Sequence, residues 1–346
     1  MRRVLVYLLC AAALPLPAQE TAVERAAQPL RDGIPNVAVV RLRALLASAL
    51  GAEDRRDALI HLGEALIAAA RAEEALQVLA DPALRELPPA KFHIAQALAA
   101  LERWAEALPL YQQVAADAAS PFRSEASFAV AEALRALGRN DEALRAYSAL
   151  EHDPRWFVRA AFRRTELLLA RNDAAAAARI LNAIDAKSPA DRRERRFLRG
   201  CLELKLGNRP AAIQAFASIL KNQQGAPRPV LIATLIGIAD AHLQSNRPRP
   251  GGKFLEEFIE RHPTDPDLPP IFAKLDQLYA AERKQSRHDL EPWSRDTAQP
   301  RRALAQWYLA RAELRMNNRD RALQVFDRLR AERAPVSVLP LALLEY

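Results

Sequence analysis

The chain has 346 residues, half of them hydrophobic and 27% charged, with a formal net charge of +8 and only 10 glycines. So few glycines exclude a turn-rich β fold and disfavour a glycine-rich phosphate-binding enzyme, while the abundance of Ala, Leu, Arg and Glu favours helices throughout. The positive excess is mostly arginine spread along the chain with no interleaved aromatic stripe, so nucleic acid is not an expected partner.

At the N-terminus Arg2 and Arg3 precede an apolar run from Val4 to Leu14 and then Pro15-Leu16-Pro17-Ala18. This pattern predicts a Sec signal peptide over 1–18, cleaved after Ala18, and hence a periplasmic or otherwise exported protein. An uncleaved anchor is the alternative, since Leu16 is large for its place before the cleavage site. Cys10 lacks the small preceding residue of a lipidation site. With the leader gone the charge becomes +6 and Cys201 is the one remaining cysteine, so no internal disulfide forms; among Leu198, Leu202 and Leu204 it reads as a packed side chain.

From residue 19 onward a small residue followed four positions later by an aromatic or leucine recurs at Ala38, Ala75, Ala107, Ala143, Ala177, Ala212, Gly251 and Ala322. The first seven are 37, 32, 36, 34, 35 and 39 residues apart, and the last gap of 71 holds two periods. Five residues before the anchor stands a turn former: Gly33, Gly138, Asn172, Gly207, Asn246 or Asn317. Twelve before it stands a small residue, such as Gly63, Ala95, Ala131, Gly200 or Ala310, that lets two helices approach. About twelve after it comes a helix-stopping proline, as at Pro121, Pro154 and Pro189. Thr165 departs from the small-residue rule.

These marks resemble the tetratricopeptide repeat (TPR) family, whose unit is a 34-residue helix hairpin. The resemblance implies an all-α, right-handed superhelical solenoid of helix-turn-helix repeats, about nine hairpins and an unfinished tenth. The array would run over 19–263 and resume over 300–334. Between them 264–299 is irregular, because Pro292 falls where a second helix belongs, and it reads as either a degenerate repeat or a hinge. Residues 335–346 begin a further first helix, which suggests a chain that continues.

In such a solenoid the first helix of each hairpin (helix A) lines the concave groove. Phe92, Phe128, Phe162 and Phe197, with Trp307 at the equivalent place, stand three residues before the small position, forming a column that either grips a partner segment or packs between helices. Glu64, Glu132 and Glu166 lie one turn on and would give a mixed apolar and acidic groove in the first half of the array, with Arg311 and Arg315 a basic one near the end; the alternative is that these charges are solvated faces. The family's peptide-carboxylate clamp needs a lysine and asparagines that are not found at these positions.

No other chemistry stands out. Arg192-Arg193-Glu194-Arg195-Arg196 is a charge run at a helix start and reads as solvated surface. The six histidines never fall in a metal-binding spacing, and no nucleophile elbow or P-loop is present, so no cofactor, metal, catalytic residue or small-molecule substrate is expected. The expected function is a non-catalytic protein-interaction scaffold of the bacterial cell envelope, binding a protein or peptide in its groove and associating with outer-membrane or envelope complexes. The alternative is the N-terminal arm of a larger export machine or lytic transglycosylase-like enzyme whose working domain lies past residue 346.

Overall fold

The structure, a computed structural model, describes residues 21–282 and 289–331. They form an all-α solenoid: eighteen α-helices and one 3-10 turn, with no strand among the described residues. The expected signal peptide 1–18, residues 283–288 of the irregular stretch and the incomplete unit 335–346 lie outside them. No helix among the described residues is long and apolar enough to cross a membrane.

The helices divide into two compact units, Met1–Ala146 and Tyr147–Tyr346. In the first, hairpins pair α1 (Ala22–Arg31) with α2 (Pro35–Leu46), α3 (Ala52–Ala68) with α4 (Ala72–Leu79), and α5 (Pro88–Ala100) with α6 (Trp104–Ala116); α7 (Arg123–Ala136) leads into α8 (Asn140–Ser148). From α1 to α7 neighbouring helices pack in order, and α1, α3 and α5 also touch as successive A helices. The entry to α1 is held by a capping box: Thr21 Oγ1 accepts the Glu24 N–H at 3.1 Å and Glu24 Oε2 accepts the Thr21 N–H at 2.7 Å.

The second unit continues with α9 (Phe157–Ala170) and α10 (Ala174–Ala183), α11 (Pro189–Lys205) and α12 (Arg209–Lys221), α13 (Arg228–Gln244) and α14 (Pro248–Arg261), α15 (Leu268–Ala281) and a short α16 (Leu290–Trp293), and α17 (Arg301–Arg315) with α18 (Arg319–Ala331). The described residues on both sides of 283–288 contribute to the core. Leu290 and Trp293 are buried, and Phe272 meets Trp293 edge-on at 5.7 Å and stacks on Tyr308 at 5.8 Å, within one apolar cluster running from Ile232 to Leu329.

The hairpin turns explain the repeat. All eight residues five before the anchors have positive φ, from Asn246 at 53° to Gly207 at 75°. This left-handed residue ends helix A, and the next N–H reaches back to the carbonyl five residues earlier, as Arg139 does to Leu134 at 2.9 Å and Asn318 to Glu313 at 2.9 Å. Two turns that residue type does not announce, at Ala70 (φ 58°) and Glu102 (φ 59°), adopt the same geometry.

The anchors lie in the core. Ala38, Ala75, Ala107, Ala143, Ala177, Ala212 and Ala322 are fully buried. The large residue four positions on fills the space beside the small residue of helix A. A β-carbon at Gly63 would stand 2.6 Å from Leu79, so a larger residue there requires the leucine to shift. Thr165 is tolerated because its hydroxyl donates to the Ala161 carbonyl at 2.8 Å, which satisfies a group with no access to water.

Candidate partner-binding face

The aromatic column separates into two kinds of residue. Phe92, Phe162 and Trp307 are 5%, 1% and 1% exposed and belong to the core, so of the two readings of the column these three take the packing one and leave the list of groove residues. Phe92 stacks on Phe122 at 4.6 Å and meets Tyr111 edge-on at 5.9 Å; Phe162 packs among Leu181, Leu198 and Leu202; Trp307 tilts against Phe326 at 5.5 Å. Phe128 on α7 and Phe197 on α11 are half-buried and keep part of their surface in water.

Glu132, Glu166, Arg311 and Arg315 are paired with opposite charges and Glu64 with the His61 ring, which corrects the expectation of an acidic groove with a basic end. In the first unit Glu64 meets His61 Nδ1 at 3.2 Å, and Glu132 accepts from Arg135 at 2.8 Å. His93, nearly fully buried, pairs with Gln96 at 2.9 Å. In the second unit Glu166 accepts from Arg163 at 2.8 Å, with Glu194 of α11 at 4.0 Å from the same guanidinium. Further along, Arg315 forms a two-pronged pair with Asp276 at 2.6 and 3.1 Å, Arg311 stands 3.6 Å from that carboxylate, and Lys274 reaches Asp240 at 2.8 Å. Asp276 is only 7% exposed, so Arg311 and Arg315 serve to neutralise a buried carboxylate.

The chain resembles known proteins in two segments of its sequence and in its fold. Tetratricopeptide repeat models match residues 92–156 and 304–333. The chain carries tetratricopeptide repeats in these two segments. Among solved structures it is similar to the apo form of the quorum sensor NprR from B. thuringiensis, at 12% identity and a TM-score of 0.56 over 89% of this chain and 95% of that one. It is also similar to a tetratricopeptide repeat protein from Parabacteroides merdae, at 15% identity and a TM-score of 0.51 over 83% and 97%. At such identities the likeness concerns the fold alone. No curated protein matches the chain in sequence.

On this repeat scaffold the A-helix faces present polar pairs three residues apart: His61–Glu64, His93–Gln96, Glu132–Arg135 and Arg163–Glu166. The histidines stand in no metal-binding or catalytic spacing, yet His61 and His93 are 32 residues apart, equal to the gap between the Ala75 and Ala107 anchors. Their hydrogen bonds tune the groups. The His61 bond holds the Glu64 carboxyl below the usual range against an opposing effect of burial, whereas burial lowers the His93 pKa and keeps that ring neutral. Burial raises Glu194. Burial, helped by the charge of Glu166, pushes the Cys201 thiol up to about 11, so it is protonated and a poor nucleophile at neutral pH. Among the described residues no group of three or more His, Cys, Asp or Glu side chains is placed to hold a metal ion.

Proposed function

We propose that the chain is an exported, non-catalytic scaffold of the bacterial cell envelope that holds a protein segment against its A-helix faces. The observation that carries this reading is the half-burial of Phe128 on α7, one turn from the Glu132–Arg135 pair whose charges are already balanced; in the second unit Phe197 on α11 also keeps part of its surface in water. Completing the burial of such a ring contributes up to about 1–2 kcal/mol. The neighbouring pairs supply hydrogen-bond donors and acceptors that select register. The repeat class supports a protein partner, since stacked hairpins offer extended surfaces. The basic leader with its apolar run supports export.

The test is affinity capture from the envelope fraction with the wild-type chain and with Phe128→Ala and Phe197→Ala, each checked by thermal melting. Loss of a partner from one of the variants, with its melt preserved, supports a docking face on the A helix that carries that ring. An unchanged partner set from both variants refutes it. N-terminal sequencing of the mature chain is expected to begin at Gln19; a cytoplasmic chain beginning at Met1 removes the envelope assignment.

A further inference from the structure

The arginine run at 192–196 extends into an ordered stripe on α11. Arg192, Arg195, Arg196 and Arg199 follow the i, i+3, i+4, i+7 spacing that brings side chains to one helix face. At about 100° per residue, that face is centred roughly 170° around α11 from Phe197 and Cys201. The four guanidinium groups, with Leu181 and Asn182 from the end of α10, line a crevice of about 380 Å³.

The carboxylates nearby in sequence are occupied elsewhere. Asp191 closes a capping box with Ser188, whose hydroxyl accepts the Asp191 N–H at 3.0 Å, and Glu194 faces Arg163. Arg193 is also engaged, donating to the carbonyls of Gly225 and Gln224 at 2.7 and 2.9 Å. Within the stripe Arg192 donates to the Lys187 carbonyl, and Arg199 bonds Asn182 Oδ1 at 2.9 Å and Glu203 at 2.9 Å. Arg195 and Arg196 have no hydrogen bond or ion pair with any described residue. Four like charges at these spacings repel one another, and one carboxylate, Glu203, reaches them.

We propose that this crevice is a second docking site, separate from the groove, for an extended acidic peptide segment. Guanidinium forks match carboxylates in a two-pronged geometry. The rise of the helix separates Arg192 from Arg196, and Arg195 from Arg199, by about 6 Å. Side chains on one side of an extended strand repeat at about 6.7 Å, so a segment with Asp or Glu at alternate positions meets successive arginines. Single-stranded nucleic acid binds through base stacking on aromatic rings, and none lines the crevice. A membrane surface needs exposed apolar side chains, and Leu181, the apolar member, is buried.

A fluorescein-labelled octapeptide of alternating Glu and Ser, titrated against the full chain by anisotropy at low ionic strength, tests the site. The pair Arg195→Gln/Arg196→Gln is compared with Arg319→Gln/Arg328→Gln, which removes the same charge from α18. The first pair is expected to weaken binding by about tenfold or more and the second by less than about twofold. Phe197→Ala leaves peptide affinity unchanged, so this site stands or falls independently of the groove. Equal losses from the two arginine pairs overturn the proposal by showing attraction to net charge alone. Tighter binding of oligo(dT) or phosphatidylglycerol vesicles than of the peptide, abolished by the first pair, also overturns it.

Discussion

Phe216 of α12 closes directly on Gly200 of α11: a β-carbon at position 200 would stand 2.5 Å from Cε1 of the ring. On its other side a β-carbon at Gly237 of α13 would stand 2.7 Å from Cζ, so a fully buried ring is clasped between two glycines of successive A helices. The knob of one hairpin thereby sets the distance to the next.

Gly200→Ala is therefore expected to destabilise, although alanine is the better helix former by about 1 kcal/mol. The ring has no free side toward which to move, and overpacking costs about 1–3 kcal/mol. Urea denaturation of Gly200→Ala and Gly237→Ala measures the balance; an increase in stability in either variant would show that the ring yields.

Ala70 and Glu102 offer the opposite opportunity. Both hold left-handed backbone at hairpin turns, which costs a residue with a β-carbon roughly 1–2 kcal/mol. Glycine removes that cost but loses more entropy on folding. Ala70→Gly and Glu102→Gly are each expected to stabilise by about 0.5–1 kcal/mol, and Gly138→Ala to destabilise by a similar amount. Thermal melts of the three variants check the signs together.

The two kinds of phenylalanine should respond differently to truncation. Phe162→Ala opens a cavity in a sealed core and is expected to cost about 3–5 kcal/mol. Phe128→Ala, at a half-buried site, should cost less than about half of that. Equal shifts in denaturation midpoint would place Phe128 in the core and remove it from the partner-binding face.

His93 gives stability a defined dependence on pH. Burial holds its folded pKa below the ordinary value of 6.5, against the opposing effects of Gln96 and Glu64. Between those two values the unfolded chain binds the proton and the folded chain does not, so acidification favours unfolding. Stability is expected to decline as pH falls below about 6.5 and to level off below the folded pKa. Glu64, whose folded pKa is depressed, contributes stability that is present above its ordinary value of 4.5 and lost at still lower pH. His93→Gln should flatten the first decline and leave the second. Midpoints that keep the same slope from neutral pH down to about pH 5 in this variant would assign the decline to other groups.

The sequence by itself determined the helical class, the period and the eight anchors, because each mark is a local steric demand. A buried alanine, a small contact residue and a turn former recur wherever a hairpin must close on itself. It did not reveal the turns at Ala70 and Glu102, since neither residue type favours left-handed backbone and the conformation is imposed by the helix that follows. Only the tertiary structure decided which rings of the aromatic column are core. Each ring shares its position with the others along helix A, but its burial depends on the bulk facing it, as Phe122 and Tyr111 cover Phe92. The charges of the groove were decided in the same way. Arg315 and Asp276 are 39 residues apart, and their pairing exists because stacking sets α15 against α17. The arginine stripe differs from an ordinary charge run because α10 ends at Ala183 and leaves a crevice beside α11. Composition and spacing record what each hairpin needs for itself, whereas exposure and charge pairing arise between helices and depend on packing that no single segment encodes.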